Sequence, residues 1–311
     1  MFWQIILANN LKKLYIGAIC NRDIEVLTKI KSFLLKNYNI ALINFMKTGL
    51  DSFNAKYLEK RLKKYPVVFL IVKLTTQEEN EIVYKAVKQV SPNIPILNSL
   101  DSVKICESRK ATFQYIEGNC KKVNIPKTYN TLQQADSSLT DGNEIIIKLD
   151  AHNIPNLPKN ERIIGIAKNK EELHALINGY NESELFLQEY LGAYENVNKA
   201  YVIGQWIVSI TSHNRLQKND NLSPLELMHI RTLIDEKLKR RIIRIGRKLG
   251  MTIYGVDYIN TKDGDFIVDI NDFPSFRSIP EGISLIADHV YNVISMREQL
   301  NKGLIKVKSQ Y

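Results

Sequence analysis

Between residues 15 and 98, short apolar runs alternate with longer amphipathic stretches. The runs are Tyr15–Cys20, Ile40–Phe45, Val67–Val72 and Ile94–Asn98, and helical patterns lie between them over 22–36, 51–64 and 76–90. Strands this short and this continuously apolar are buried on both faces, and the intervening helices are long enough to cross over. The order therefore predicts a small parallel sheet covered by helices. No GxGxxG follows the first run, which argues against a dinucleotide fold. A helical segment over 102–118 leads to Ile125-Pro126-Lys127-Thr128, a plausible boundary.

From residue 144 the pattern turns β-rich. Strands are expected at 144–150, 161–169, 184–191, 199–204 and 205–212, with a helix at 170–178. The polar segment between Asp150 and Glu161 carries two prolines, joins two strands and reads as a mobile loop. A basic amphipathic helix at about 226–249 precedes a hairpin, and a last helix covers 281–300. The expected domains are 1–100, 101–190 and 191–311.

The hairpin GVDYINTKDGDFIVDINDFP carries acidic residues among neighbours that belong in a core. Asp269 and Asn271 are two apart on a strand, so both present oxygen to one face. A two-residue Asp263-Gly264 turn would set Asp257 opposite Ile270. A three-residue Lys262-Asp263-Gly264 loop with a left-handed Gly264 sets it opposite Asp269 instead. The second register is expected, since it gathers three oxygen ligands suited to Mg²⁺ bridging the phosphates of ATP.

Composition narrows the picture. Apolar residues make up 44% of the 311, enough for more than one core. The longest apolar run, Val67–Val72, is too short to span a membrane, and the first residues show no charged n-region with a cleavage site. Three scattered cysteines fit neither a disulfide framework nor a zinc site, so a reducing cytoplasm is expected. Of the net charge of +10, the excess lies in residues 1–128, where 21 Lys and Arg stand against 10 Asp and Glu. Such an excess could hold a polyanion, although a solvated basic face is its usual explanation. The basic run Lys237–Arg244 has apolar residues at helical spacing, so it reads as a solvated outer face rather than a nucleic-acid surface. A monomer without nucleic-acid or membrane partners is expected.

Lys148 lies in an apolar strand, where a phosphate would compensate a costly ammonium. Gln188 and Tyr190 share one face of LFLQEYL, and His152 falls in the loop four residues after Lys148.

In this order the pieces resemble an ATP-grasp enzyme over essentially the whole chain, with an N-terminal parallel-sheet domain preceding the grasp. The nearest likeness is to the inositol 1,3,4-trisphosphate 5/6-kinase family. It rests on DIN-x-FP at Asp269–Pro274, GVD at Asp257, VKLT at Val72–Thr75, the Asp101/Arg109 spacing, and Lys199 before an apolar strand ending in Gly204. The resemblance implies transfer of the ATP γ-phosphoryl group to an inositol phosphate hydroxyl in a Mg²⁺-dependent kinase. Asp257, Asp269 and Asn271 would hold metal, and Lys148 and Arg109 would neutralise phosphates. Gln188 with the Glu189, Tyr190 and Leu191 backbone would read adenine. Arg22, Lys73, Lys199, Arg215 and Ser275 would hold substrate, with Lys199 and His152 as catalytic candidates. The alternative is a carboxylate–amine ligase similar to the ribosomal-protein glutamate ligase, acting through an acylphosphate; those ligases carry D-x-R where this chain has Val197-Asn198-Lys199.

Overall fold

The computed structural model describes residues 14–46, 53–154, 157, 159–192, 196–213 and 229–301. In chain order the first elements are β1 (Leu14–Cys20), α1 (Ile24–Tyr38), β2 (Ile40–Asn44), α2 (Ala55–Lys64), β3 (Val67–Lys73), α3 (Gln77–Val90) and β4 (Ile96–Leu97). Next come α4 (Leu100–Cys106), α5 (Arg109–Asn119), β5 (Thr128–Tyr129), α6 (Leu132–Thr140), β6 (Ile145–Leu149), β7 (Ile163–Ala167), α7 (Lys170–Ile177) and β8 (Leu185–Glu189). The chain continues with β9 (Asn196–Ile203), β10 (Trp206–His213), β11 (Ile230–Thr232), α8 (Glu236–Leu249), β12 (Ile253–Thr261), β13 (Gly264–Asp272) and α9 (Gly282–Asn301).

These elements form two compact units. The first takes the chain up to Leu74, Glu78–Leu97, and everything from Ser275 onward; the second takes Thr75–Gln77 and Asn98–Pro274. In the first, the parallel sheet runs β2-β1-β3-β4 as the apolar runs predict, with β1 and β3 buried centrally. The last helix belongs to this unit rather than to the C-terminal subdomain expected from sequence order. Tyr38 of α1 donates to Asp288 Oδ1 at 2.5 Å and stacks on Tyr291 of α9 at 4.2 Å between ring centroids. No local pattern signals that return.

At the carboxyl ends of β1 and β3, Asp23 accepts Lys73 Nζ at 2.9 Å and Arg277 Nη2 at 2.8 Å, with Arg22 Nε 3.9 Å away. Lys73 is buried. Its ammonium is thus spent on Asp23, which accounts for a lysine in VKLT without any substrate phosphate. Burial opposes ionisation of Asp23, but Lys73, Arg22 and Arg277 outweigh it and hold the carboxyl below its usual value. A depressed acid contributes stability above its unfolded pKa, near 4, and that contribution is lost as pH falls through the folded value. Acid titration of unfolding should therefore show Asp23→Asn with a shallower loss of stability below about pH 4, by up to about 1.4 kcal/mol per pH unit. Equal acid slopes in both proteins would refute this.

The second unit contains two antiparallel sheets, β5-β8-β6-β7 and β11-β10-β9-β12-β13. The helix expected over 102–118 is two helices. Ser108 breaks it, its hydroxyl accepting the Ala111 amide to cap α5. Asp235 caps α8 through the Lys237 and Leu238 amides, and a left-handed Gly250 ends it. Leu238, Ile242, Ile245 and Leu249 of α8 are buried against Ala200, Val202, Tyr254, Val256 and Ile270. Lys237, Arg240, Arg244 and Arg247 face solvent, as the apolar spacing implies. All three cysteines are free and buried, with burial pushing the Cys20 thiol up to about 12. No helix among the described residues is long and apolar enough to cross a membrane.

Candidate active site

Strands β12 and β13 set the site. Thr261 pairs with Gly264, so the turn is the two-residue Lys262-Asp263, and Tyr258 pairs with Ile267. Continued without interruption, that register would put Asp257 opposite Val268. A bulge between Asp257 and Tyr258 steps past Val268, and Asp257 faces Asp269, with Asn271 opposite Gly255. The opposition of the two carboxylates is as expected, but its cause is the bulge and not a three-residue loop. Gly264 does take a positive φ, 116°.

The bulge also exposes a carbonyl. Lys148 Nζ donates to Val268 O at 3.1 Å and to Gln188 Oε1 at 2.9 Å, tying β6 and β8 to β13. Lys148 and Gln188 are both buried, and Gln188 Nε2 has no hydrogen-bond partner. Burial pushes the Lys148 ammonium down to about 8, with Asp269 resisting.

Three further groups surround the acids. Arg109 Nε lies 3.3 Å and His152 Nε2 3.5 Å from Asp269 Oδ1, and Lys199 Nζ lies 3.0 Å from Asp257 Oδ1. Lys199 takes up one direction at that oxygen, and a carboxylate oxygen has a second lone pair for a further partner. Burial opposes ionisation of Asp269, yet Arg109 and Lys148 hold its carboxyl far below the usual range. Burial and the charge of Asp269 push Asp257 the other way, upward, with Lys199 countering. For Lys199 burial again opposes charge, and Asp257 outweighs it, raising the pKa.

Arg109 is buried at the first position of α5. Besides Asp269 it donates Nη1 to Leu149 O at 2.5 Å and to Ala151 O at 3.2 Å. Most of its guanidinium therefore holds the strand-end after β6 against Asp269. His152 sits in that segment, and it is anchored: its amide donates to Glu107 O at 3.1 Å and its carbonyl accepts from Arg162 Nη1. Asp150 Oδ1 caps the Lys110 amide at 2.7 Å. Sequence reading missed Arg162 and Asp150, although an aspartate right after an apolar strand is an available signal. Burial, then Arg109, pushes His152 down to about 3, so its ring is neutral and a poor general base.

Other candidates fall as follows. The Glu189 and Tyr190 amides donate to Lys127 O and Glu144 O, each at 2.8 Å, which leaves Leu191 beyond the strand. Arg22, Lys73 and Ser275 belong to the first unit. Arg215 lies outside the described residues. Among the described residues no three His, Cys, Asp or Glu side chains make a metal cluster. The set here is two carboxylates and an amide oxygen. Mg²⁺ takes such a set when phosphate oxygens and water complete the sphere.

The two antiparallel sheets, with opposed acids on one and a buried lysine on the other, have the architecture of the ATP-grasp fold. ATP-grasp enzymes use ATP and Mg²⁺. More particularly, residues 159–293 match the RimK-like ATP-grasp domain. No curated protein sequence matches the chain. Among solved structures, D-alanine–D-alanine ligase from Bacillus anthracis aligns with a TM-score of 0.64 at 14% identity, covering 94% of this chain and 100% of that one. A RimK domain ATP-grasp protein from Sphaerobacter thermophilus gives 0.59 at 14%, over 89% and 99%. A RiPP-associated ATP-grasp ligase from Chryseobacterium gregarium, in complex with ADP and a leader and core peptide, gives 0.64 at 11%, over 91% and 97%.

Proposed function

We propose that the chain is a carboxylate–amine ligase that activates a carboxylate as an acylphosphate and passes the acyl group to an amine. The observation that supports this most is the RimK-like match over 159–293, which contains Lys199, Asp257, Asp269 and Asn271. The solved structures named above include a D-alanine–D-alanine ligase and a RiPP-associated ligase in complex with a leader and core peptide. Lys73, the residue that pointed most directly to a phosphorylated ring, is buried on Asp23. The inositol phosphate acceptor therefore gives way to the ligase alternative.

ATP supplies the phosphoryl group, and Mg²⁺ neutralises its oxygens and orients them. Asp257, Asp269 and Asn271 would hold the metal. Lys148, already oriented by Gln188 and Val268 O, places positive charge where phosphate charge develops, without reorganising during the reaction. Arg109 holds Asp269 and the 149–151 backbone in position. Gln188 Nε2 is a buried donor available to the nucleotide, and the Leu191 backbone is the adenine contact. In the first step a substrate carboxylate oxygen attacks the γ-phosphorus and ADP leaves. In the second a neutral amine attacks the acyl carbon, orthophosphate leaves, and the amine loses a proton. Lys199 is the cation placed beside Asp257 to neutralise the anions of both steps.

The test is incubation of the full chain with Mg²⁺ and ATP, using panels of amino acids and peptides with amines, or with hydroxylamine as the trap. Orthophosphate release that requires a carboxylate, with a hydroxamate formed from it, is expected. Phosphoryl transfer to an inositol phosphate without orthophosphate release would replace this reading by the kinase.

A further inference from the structure

The ring of His152 stands out in the site, because it is 2% exposed and neither nitrogen has a hydrogen-bond partner. A buried imidazole normally donates from one nitrogen and accepts at the other, and burying either without a partner is unfavourable unless a ligand satisfies it. Nε2 is aimed at the acids: it lies 3.5 Å from Asp269 Oδ1, the Asn271 side chain reaches the same ring, and the Arg109 and Lys148 charges are near. Asp269 and Asn271 are among the three residues assigned above to a divalent cation.

We propose that His152 Nε2 is a ligand of the cation held by Asp269 and Asn271, giving that site one nitrogen and two oxygen donors and a preference for Mn²⁺ over Mg²⁺. Two ligand atoms each about 2.1 Å from one ion lie roughly 3.0 to 3.5 Å apart as their angle opens from 90° to 110°. The observed separation of 3.5 Å is at the wide end of that range. Mg²⁺ demands near-ideal octahedral angles and oxygen donors, whereas imidazole suits the transition metals. Arg109 Nε occupies one direction at the same Asp269 oxygen, at 3.3 Å, and a carboxylate oxygen has a second lone pair for a metal.

The backbone holds the ring in place for this role. The amide and carbonyl of His152 are both bonded, to Glu107 O and to Arg162, so the residue is fixed from both sides rather than carried on a free loop. These bonds fix the backbone from which the ring projects, while Nδ1 has no hydrogen-bond partner. Contact with a transferred phosphoryl group would also satisfy one nitrogen, and the experiment separates the two.

The inference rests on the metal reading of the hairpin and needs no acceptor substrate. The full chain, labelled with ¹⁵N-histidine and loaded with Mn²⁺ and ADP, is measured by pulsed electron paramagnetic resonance. A directly coordinated nitrogen coupling is expected, lost in His152→Gln and kept in His174→Gln and His229→Gln, whose side chains are exposed. Mn²⁺ affinity should fall about tenfold or more in His152→Gln, and Mn²⁺ should compete with Mg²⁺ better in the wild type than in the variant. Bound Mn²⁺ with no histidine nitrogen coupling overturns the proposal and leaves the carboxylate site standing. That result can be read from the wild type alone if His152→Gln fails to fold. Coupling that survives in a folded His152→Gln also overturns it. Failure to bind Mn²⁺ at all overturns both the proposal and the metal reading of the hairpin, whereas the ligase reading fails separately, in the hydroxamate assay.

Discussion

Asp269→Asn should lower ATP turnover by a factor of about a thousand or more while the protein stays folded. The size follows from the number of partners that depend on this one charge. Asp269 pairs with Arg109, lies beside His152, and is the main group sustaining the charge on buried Lys148. Asparagine keeps an oxygen near the same place, so the strand pairing with Asp257 survives, but the anionic ligand proposed for the metal is lost. Losing one well-placed electrostatic group at a transition state costs about a hundredfold to a thousandfold, and weaker metal binding adds to that. Arg109 and Lys148 would remain buried without their counter-charge, so a thermal shift is also expected, on the order of 1–3 kcal/mol. Breaking a fully buried pair costs more, and Asp269 retains 20% exposure, which moderates the loss. Asp263→Asn is the control, since this exposed turn residue touches none of the site. Asp269→Asn with turnover within tenfold of wild type, by coupled ADP release, would remove Asp269 from the metal site.

Which parts of this were visible in the chain beforehand follows from the range of the interactions. The parallel sheet was legible because β1 and β3 are apolar up to Lys73 at the end of β3 and the helices between them are amphipathic, both local patterns. The facing of Asp257 and Asp269 was legible only in outcome. The bulge at Val268 leaves no mark in a valine among apolar neighbours, and turn chemistry alone offered a different route to the same register. Strand β5 has two residues and carries no periodicity at all. Lys73 illustrates the other limit. Its partner Asp23 is distant in sequence and meets it only because β1 and β3 are neighbours in a parallel sheet. A lysine's burial can be guessed from its strand, but its counter-ion is set by topology. Arg109 was expected within one helix over 102–118 and instead opens the second of two, and its bonds to Leu149 O and Ala151 O are tertiary contacts that no local pattern signals.

The same distinction between local and tertiary control predicts the outcome at Gly246, where the two give opposite signs. Gly246 lies inside α8, and helix propensity alone says alanine should stabilise that position by about 1 kcal/mol. The packing says otherwise. A Cβ on Gly246 would meet the Tyr254 ring at 2.3 Å from Cε1 and 2.4 Å from Cζ and from the hydroxyl oxygen. Tyr254 is fully buried on β12, and its hydroxyl donates to Ile242 O at 2.8 Å. The ring cannot retreat without breaking that bond or pushing β12 off α8, and β12 is the strand that carries Asp257. Overpacking of this kind costs about 3 kcal/mol or somewhat more. Against a propensity gain of about 1 kcal/mol the net loss should be about 2 kcal/mol or more. Thermal unfolding of Gly246→Ala should fall by about 4 °C or more on that estimate. Tyr254→Leu removes the ring, so in its background the glycine-to-alanine change should cost far less and approach the propensity gain. A double-mutant cycle reads this coupling directly. Gly246→Ala that equals or exceeds wild-type stability would show that α8 and β12 can separate freely, and the carboxylate face would then lack the rigid backing described here.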